Sequence, residues 1–205
     1  MLKQEALDTN LESQLSFAGL LELLADLYKF PDEELYADLE SGLIDVQIRE
    51  LSRAAGREVL STLQPALGSY QELLASYNDC FLGVKAASVP PVESVYKVWT
   101  TDESYQVPFK KRKGYLMGDS ALHIKHILNS LNLEIPPEYE LMPDHLTILL
   151  ELYAFFLRRG FLKEARQFRE DHLDWLPDFY AALKQEKPKE FYTLLTAVLI
   201  KVLAD

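Results

Sequence analysis

Apolar residues recur along most of the chain at the three- and four-residue spacing of amphipathic helices. In the segment 15–28, for example, Leu20, Leu23, Leu24 and Leu27 share one face. The same spacing predicts further helices over 31–40, 43–54, 57–67, 69–82, 119–131, from Pro143 onward, and over 161–171, 172–185 and 189–203. Because no segment shows a convincing run of alternating strands, we predict an all-α protein of about nine helices.

Residues 83–114 interrupt this pattern with prolines and a run of four basic residues, Lys110 to Lys113. A segment this long without periodicity predicts an irregular loop, with the basic run at a solvated tip. We expect residues 1–205 to form a single helical domain in which 83–114 is a crossing loop and a candidate hinge. An exchange of halves through such a hinge would give a dimer, so the expectation covers a monomer or a dimer.

The most apolar helix is the one predicted to start at Pro143, and it opens with Asp144 and His145. At 100° per residue, Asp144 falls on a narrow polar stripe with Thr147, Glu151 and Arg158, while His145 points inward. Neighbouring residues on a helix do not face each other, which argues against an Asp–His dyad. The spacing alone favours a capping carboxylate and a partly buried imidazole.

Charge and composition exclude several classes of function. The net charge is −11, and residues 1–50 carry twelve acids against three bases, so nucleic acid would be repelled. The longest apolar stretch is too short to cross a bilayer, and the N-terminus lacks the plan of an export signal, so we expect a cytoplasmic protein without stable membrane insertion. The single cysteine, Cys80, is best explained as a core residue.

Two histidines one helical turn apart, His123 and His126, could share a metal ion, with Asp119 one turn upstream. A metal-dependent enzyme built on these residues is therefore one alternative. No phosphate-binding loop or nucleophile–base pair is readable, which favours binding over catalysis. A helical adaptor unrelated to redox enzymes is the other alternative.

Six segments, taken in order, resemble the TorD/DmsD/NarJ family of redox-enzyme maturation chaperones. They are SYNDCFLG at 76–83, PPVESVY at 90–96, MGDSALHIKHIL at 117–128, MPDHLTILLELYAFFL at 142–157, HLDWLPDFYAAL at 172–183 and EFYTLLTAVL at 190–199. The chain departs from the family pattern at Cys80, where the family has leucine, and at Met142, where it has proline. The loop after Tyr96 also looks longer than in compact members.

The resemblance implies a cofactor-free, non-enzymatic helical chaperone that binds the twin-arginine signal peptide of a molybdenum-enzyme precursor, or the apo form of that enzyme. It carries the family's peptide-binding role to Tyr77, Phe81, Pro91, Tyr96, Asp144 and His145. Asp144 would pair with a client arginine, the aromatic residues would hold the apolar part of the peptide, and His145 would shape the floor. An acidic protein suits a basic leader.

Overall fold

The computed structural model describes residues 2–59, 61–82, 88–186 and 191–204. Within these ranges the chain forms ten α-helices and no β-strand, which confirms the predicted all-α class. The helices are α1 (Leu2–Asp26), α2 (Glu33–Glu40), α3 (Leu43–Ala54), α4 (Tyr70–Tyr77), α5 (Glu93–Tyr96), α6 (Asp119–Ser130), α7 (Leu146–Arg158), α8 (Leu162–His172), α9 (Leu176–Glu186) and α10 (Phe191–Ala204).

Helix α7 lies at the centre of the bundle because nearly its whole surface is apolar. Ten of its thirteen residues are buried. Helix α1 packs along α7, α3 packs on α1, α8 follows against α7, and α10 contacts both α9 and α4. The buried residues of these helices form a continuous core from Phe17 to Leu203. Among the described helices, none is both long and apolar enough to span a lipid bilayer.

Several helix starts follow from local sequence. The Asp32 carboxylate accepts the backbone N–H of Leu35 at 2.8 Å and caps α2 directly after Pro31. Ser69 and Glu72 form a reciprocal capping box at the start of α4. A π-helical turn, Asn78–Leu82, continues α4 and completes the predicted 69–82 segment.

The predicted helix over 57–67 is wrong, apart from a 3₁₀ turn at Gln64–Ala66. The Asp45 carboxylate accepts the backbone N–H groups of Leu63 and Gln64, at 2.7 and 3.0 Å. This side chain, from α3, takes up backbone donors and fixes the segment as a loop against the bundle. Residue 60 lies outside the described residues.

The irregular segment predicted at 83–114 is confirmed where it is described, except for the single helical turn α5; residues 83–87 lie outside the described part. Beyond α5 the chain doubles back, since Trp99 N–H donates to the Arg112 carbonyl at 3.0 Å and Thr100 N–H to the Lys110 carbonyl at 2.9 Å. The basic tip is solvated as predicted, but Lys111 and Lys113 also form ion pairs with Glu103 and Asp178.

Candidate functional site

A short strap, residues 91–94, is fastened to the start of α7. The Leu146 N–H donates to the Pro91 carbonyl at 2.8 Å, and the Glu93 N–H donates to the Asp144 carbonyl at 3.1 Å. A third bond joins the Ser94 N–H to the Asp144 carboxylate at 2.7 Å. Two segments fifty residues apart therefore form one unit, and this unit places Pro91 beside His145.

Asp144 is fully buried, so its predicted position on an exposed polar edge is wrong. The helix begins at Leu146 rather than Pro143, because the strap takes up the backbone and carboxylate of Asp144. Burial raises the pKa of the Asp144 carboxyl, and the hydrogen bonds from Ser94 oppose that rise. In this conformation Asp144 holds the strap and offers no accessible charge to a client arginine.

The other three residues of the predicted polar stripe differ in burial along the helix. Thr147 is buried, and its hydroxyl donates to the Ala25 carbonyl at 3.2 Å. Glu151 and Arg158 are accessible as predicted, and they pair with Lys29 at 2.9 Å and with Glu22 at 2.6 Å. The polar contacts of α7 therefore tie it to α1 and the segment that follows α1.

His145 is turned inward, as predicted, and caps α7. Its Nδ1 accepts the backbone N–H of Thr147 at 3.3 Å, and its ring lies 4.8 Å from the ring of Tyr139. Burial lowers the pKa of His145 to about 3, so the imidazole is neutral near pH 7. A neutral His145 keeps the acceptor lone pair that the cap requires.

A cavity of about 410 Å³, here called the aromatic pocket, opens between α4, the strap and the start of α7. It brings together four of the six predicted site residues: Tyr77, Phe81, Pro91 and His145. The remaining lining residues are Lys29, Phe30, Leu82, Pro90, Val92, Glu138, Tyr139 and Met142.

Three aromatic rings give the pocket its chemistry. Tyr77 lies 5.1 Å from Phe81 and 5.3 Å from Phe30, both in edge-on geometry. Tyr77 and Phe81 are buried, whereas Phe30 is 57% exposed at the rim. Burial raises the pKa of the Tyr77 phenol to about 12, so it stays uncharged. The wall can therefore take apolar groups, and Phe30 is accessible to a partner.

The charges at the rim differ in how far they are neutralised. Lys29 is held by Asp26 at 2.7 Å and Glu151 at 2.9 Å. Burial opposes the charge of Lys29, but these two partners raise its pKa overall, so it stays protonated. Glu138 is exposed, and no ion pair engages it within the described residues. Glu138 is thus the accessible carboxylate of the pocket.

Tyr96 does not line the pocket. Its ring stacks on Trp175 at 5.1 Å and meets Phe179 edge-on at 5.7 Å. This half-buried ring therefore joins α5 to α9, and the predicted role of Tyr96 in holding a peptide stays a prediction.

The residues of the metal-site alternative are not gathered into one site. His123 Nδ1 lies 2.9 Å from His172 Nε2, and His172 Nδ1 lies 2.8 Å from the buried Glu93. The Asp119 carboxylate instead accepts the Thr101 N–H at 2.9 Å. In the described part of the chain, no group of three or more histidine, cysteine or acidic residues can hold a metal ion.

Sequence reasoning missed two features. Phe30 and Tyr139 belong to no motif and reach the pocket only through tertiary packing. The one signal in the sequence was the position of Phe30, an aromatic residue directly before Pro31 at the end of a predicted helix. The Glu93–His172 pair was also missed, although both residues lie in segments that carry the family resemblance. Those segments meet because α5 rests against the end of α8.

Comparison with known proteins decides the family. The sequence model of the family described as "Nitrate reductase delta subunit" matches residues 44–181, about two thirds of the chain. The chain belongs to that family. A curated relative, the chaperone protein TorD of Psychrobacter sp. (strain PRwf-1), is 29% identical over 166 residues, which cover 75% of this chain and 69% of the relative.

Membership in the nitrate reductase delta subunit family confirms the predicted resemblance to TorD/NarJ-type chaperones. The matched residues include Tyr77, Phe81, the strap and the start of α7. Lys29 and Phe30, at the rim of the pocket, precede the matched range. The residues of the inner wall thus lie within the range that the family model matches, whereas part of the rim comes from the segment that follows α1, outside that range.

Proposed function

We propose that this chain is a cytoplasmic, non-catalytic chaperone for a molybdenum-cofactor oxidoreductase. Its aromatic pocket binds the twin-arginine signal peptide of the catalytic-subunit precursor and holds the precursor until its cofactor is inserted. Family membership and similarity to a TorD chaperone support the general role. The observation that carries the proposed site is the open aromatic wall with the exposed Phe30 at its edge.

The pocket matches the apolar part of such a peptide. Phe30, Tyr77 and Phe81 present ring faces and edges, and Pro91 adds a rigid apolar side. Aromatic anchors in a partly desolvated pocket dominate the energy of many interfaces. Phe30 meets Tyr77 edge-on and is largely exposed, so it can adjust to the peptide without disturbing the core.

The basic part of the peptide requires an accessible carboxylate. Asp144 is buried beneath the strap, so we assign the arginine contact to Glu138 at the rim. An arginine can take both carboxylate oxygens through two parallel hydrogen bonds. Asp144 and His145 then act indirectly, because they fix the strap and the helix start that form one wall.

The proposal is tested by purifying the tagged chain from anaerobically grown cells and identifying bound proteins by mass spectrometry. We expect a molybdoenzyme catalytic subunit that still carries its twin-arginine leader. A variant with Phe30→Ala should recover less of that precursor, and Phe161→Ala, at an exposed phenylalanine outside the pocket lining, should recover as much as the wild type. A stable partner without such a leader would favour the adaptor alternative instead.

A further inference from the structure

A second surface of the molecule has the opposite charge. Arg49, Arg53 and Arg57 line a depression of about 440 Å³ at the end of α3, together with Gly56, Glu58 and Val59. Arg49 and Arg53 are four residues apart on the helix, so their side chains lie on one face, about 6 Å apart at Cβ. In a protein of net charge −11, three arginines on one depression are unusual.

The outer two arginines have no acidic partner in the described part of the chain. Arg49 and Arg53 are exposed, and no carboxylate lies within ion-pair distance of either. Asp45, one turn before Arg49, is occupied by the backbone N–H groups of Leu63 and Gln64. By contrast, Lys29, Lys97, Lys113 and Arg158 each have an acidic partner within 3 Å.

Arg57 supplies a fixed third guanidinium. Its Cζ lies 3.9 Å from the centre of the Phe17 ring, and its Nη1 donates to the Val202 carbonyl. The stacking and the hydrogen bond hold the side chain against α1 and α10. The exposed guanidiniums of Arg49 and Arg53, four residues apart on the helix, carry like charges that repel each other, and a bound anion would relieve that repulsion.

We infer that this arginine face binds an acidic segment of a partner protein, one that presents several carboxylates. Guanidinium groups match carboxylates through paired hydrogen bonds, and such charge complementarity sets partner choice and association rate. The C-terminal end of α3 and Glu58 weaken the attraction for any anion, so a segment that presents several carboxylates to the arginines binds better than an isolated oxyanion.

The arginine face is separate from the aromatic pocket. Phe17 lies beside the arginine face, about 14 Å along the helix axis before α1 ends at Asp26, and Phe30, at the pocket, follows that end; the two sets of lining residues share no member. The inference goes beyond the proposed function, and its failure would leave the leader-binding pocket untouched. Both surfaces together would let the chain contact a basic leader and an acidic surface at once.

The test uses the full chain and a fluorescent hexaglutamate peptide, with hexaglutamine as the uncharged probe and inorganic phosphate as a competitor. We expect the wild type to bind hexaglutamate at low ionic strength and not hexaglutamine. The double variant R49Q/R53Q should weaken binding by about tenfold or more, whereas R159Q/R166Q, which removes two exposed arginines elsewhere, should change it less than about twofold. Circular dichroism should show that both variants stay folded.

Three outcomes would overturn the inference. They are no binding of hexaglutamate to the wild type, equal losses in the two double variants, and displacement of the peptide by phosphate at similar concentration, which would indicate a small oxyanion site. A twin-arginine leader peptide should bind R49Q/R53Q as tightly as the wild type, which separates this test from that of the pocket.

Discussion

The carboxylate of Asp144 accepts the backbone N–H of Ser94 at 2.7 Å, across fifty residues of sequence and wholly within the protein. This bond, with its two backbone neighbours, fastens the strap to α7 and so forms one wall of the aromatic pocket. Asp144, which was predicted to present its charge to a client, is instead buried in this structure, where it holds the strap that forms one wall of the pocket.

Asp144→Asn should stabilise the protein more as the pH rises. Burial raises the pKa of the Asp144 carboxyl above its ordinary 3.8, so the folded chain holds this proton more tightly than the unfolded chain. The stability that the proton contributes is present below pH 3.8 and is lost as the pH rises through the raised pKa. Asparagine keeps an oxygen acceptor for Ser94 and avoids that loss.

Urea unfolding of Asp144→Asn and the wild type at pH 4 and pH 7 checks this prediction. The unfolding free energy of the variant minus that of the wild type should be larger at pH 7 than at pH 4. Asp178→Asn, at an exposed position on α9, is the control. The same difference at both pH values would show that Asp144 carries no buried charge.

His145→Asn should reduce the loss of stability in mild acid. Burial lowers the pKa of His145 from 6.5 to about 3, so its contribution is present above pH 6.5 and is lost as the pH falls towards 3. For the wild type this amounts to about 2 kcal/mol between pH 7 and pH 5. Asparagine can cap α7 without titrating.

Unfolding curves at pH 7 and pH 5 measure the effect. The drop in unfolding free energy should be smaller in His145→Asn than in the wild type by about that 2 kcal/mol. An equal drop in both proteins would mean that His145 is not the buried neutral cap.

Glu93→Ala should be strongly destabilising. The buried carboxylate of Glu93 meets His172 Nδ1 at 2.8 Å and Lys97 Nζ at 2.9 Å. Its removal leaves the buried His172 without its acid, although Lys97 keeps Asp174 at 2.6 Å, and breaking such a buried pair costs about 3 kcal/mol. The midpoint of urea unfolding reports this, and Glu103→Ala, which breaks only exposed pairs with Lys110 and Lys111, should stay close to the wild type. Similar midpoints for both variants would contradict a structural role for Glu93.

Glu138→Gln should weaken the binding of a twin-arginine leader by about three- to tenfold, with the effect fading as salt is added. Glu138 is the accessible carboxylate of the pocket, whereas Glu134, also exposed, does not line it. Isothermal titration calorimetry on Glu138→Gln and Glu134→Gln therefore separates a specific contact from a change in net charge. Equal affinities of the two variants would remove Glu138 from the site.

Periodicity was sufficient for most of the fold. The nearly continuous apolar surface after Pro143 predicted a central helix, because burial on all sides requires apolar side chains on all sides, and the apolar spacing over 189–203 predicted α10. The helix over 57–67 failed because Asp45, from another helix, competes for its backbone donors. Local patterns cannot report such a partner.

The site was only partly readable for the same reason. Tyr77 and Phe81, four residues apart, were predictable neighbours along a helical segment, and they do meet at 5.1 Å. The burial of Asp144 depends on the strap, and the arrival of Phe30 and Tyr139 depends on how α1 and the 137–139 turn pack. These are tertiary contacts between segments that carry no pairing signal in one sequence.

The affinity of a twin-arginine leader peptide for Phe30→Ala tests the central claim most directly. Phe30 is 57% exposed, so its truncation should leave the stability nearly unchanged while it removes an aromatic anchor of the pocket. Calorimetry should show a dissociation constant about tenfold higher than that of the wild type, with Phe161→Ala, 44% exposed and outside the pocket lining, unchanged. An unchanged dissociation constant for Phe30→Ala in the folded protein would contradict the assignment of the leader to the aromatic pocket.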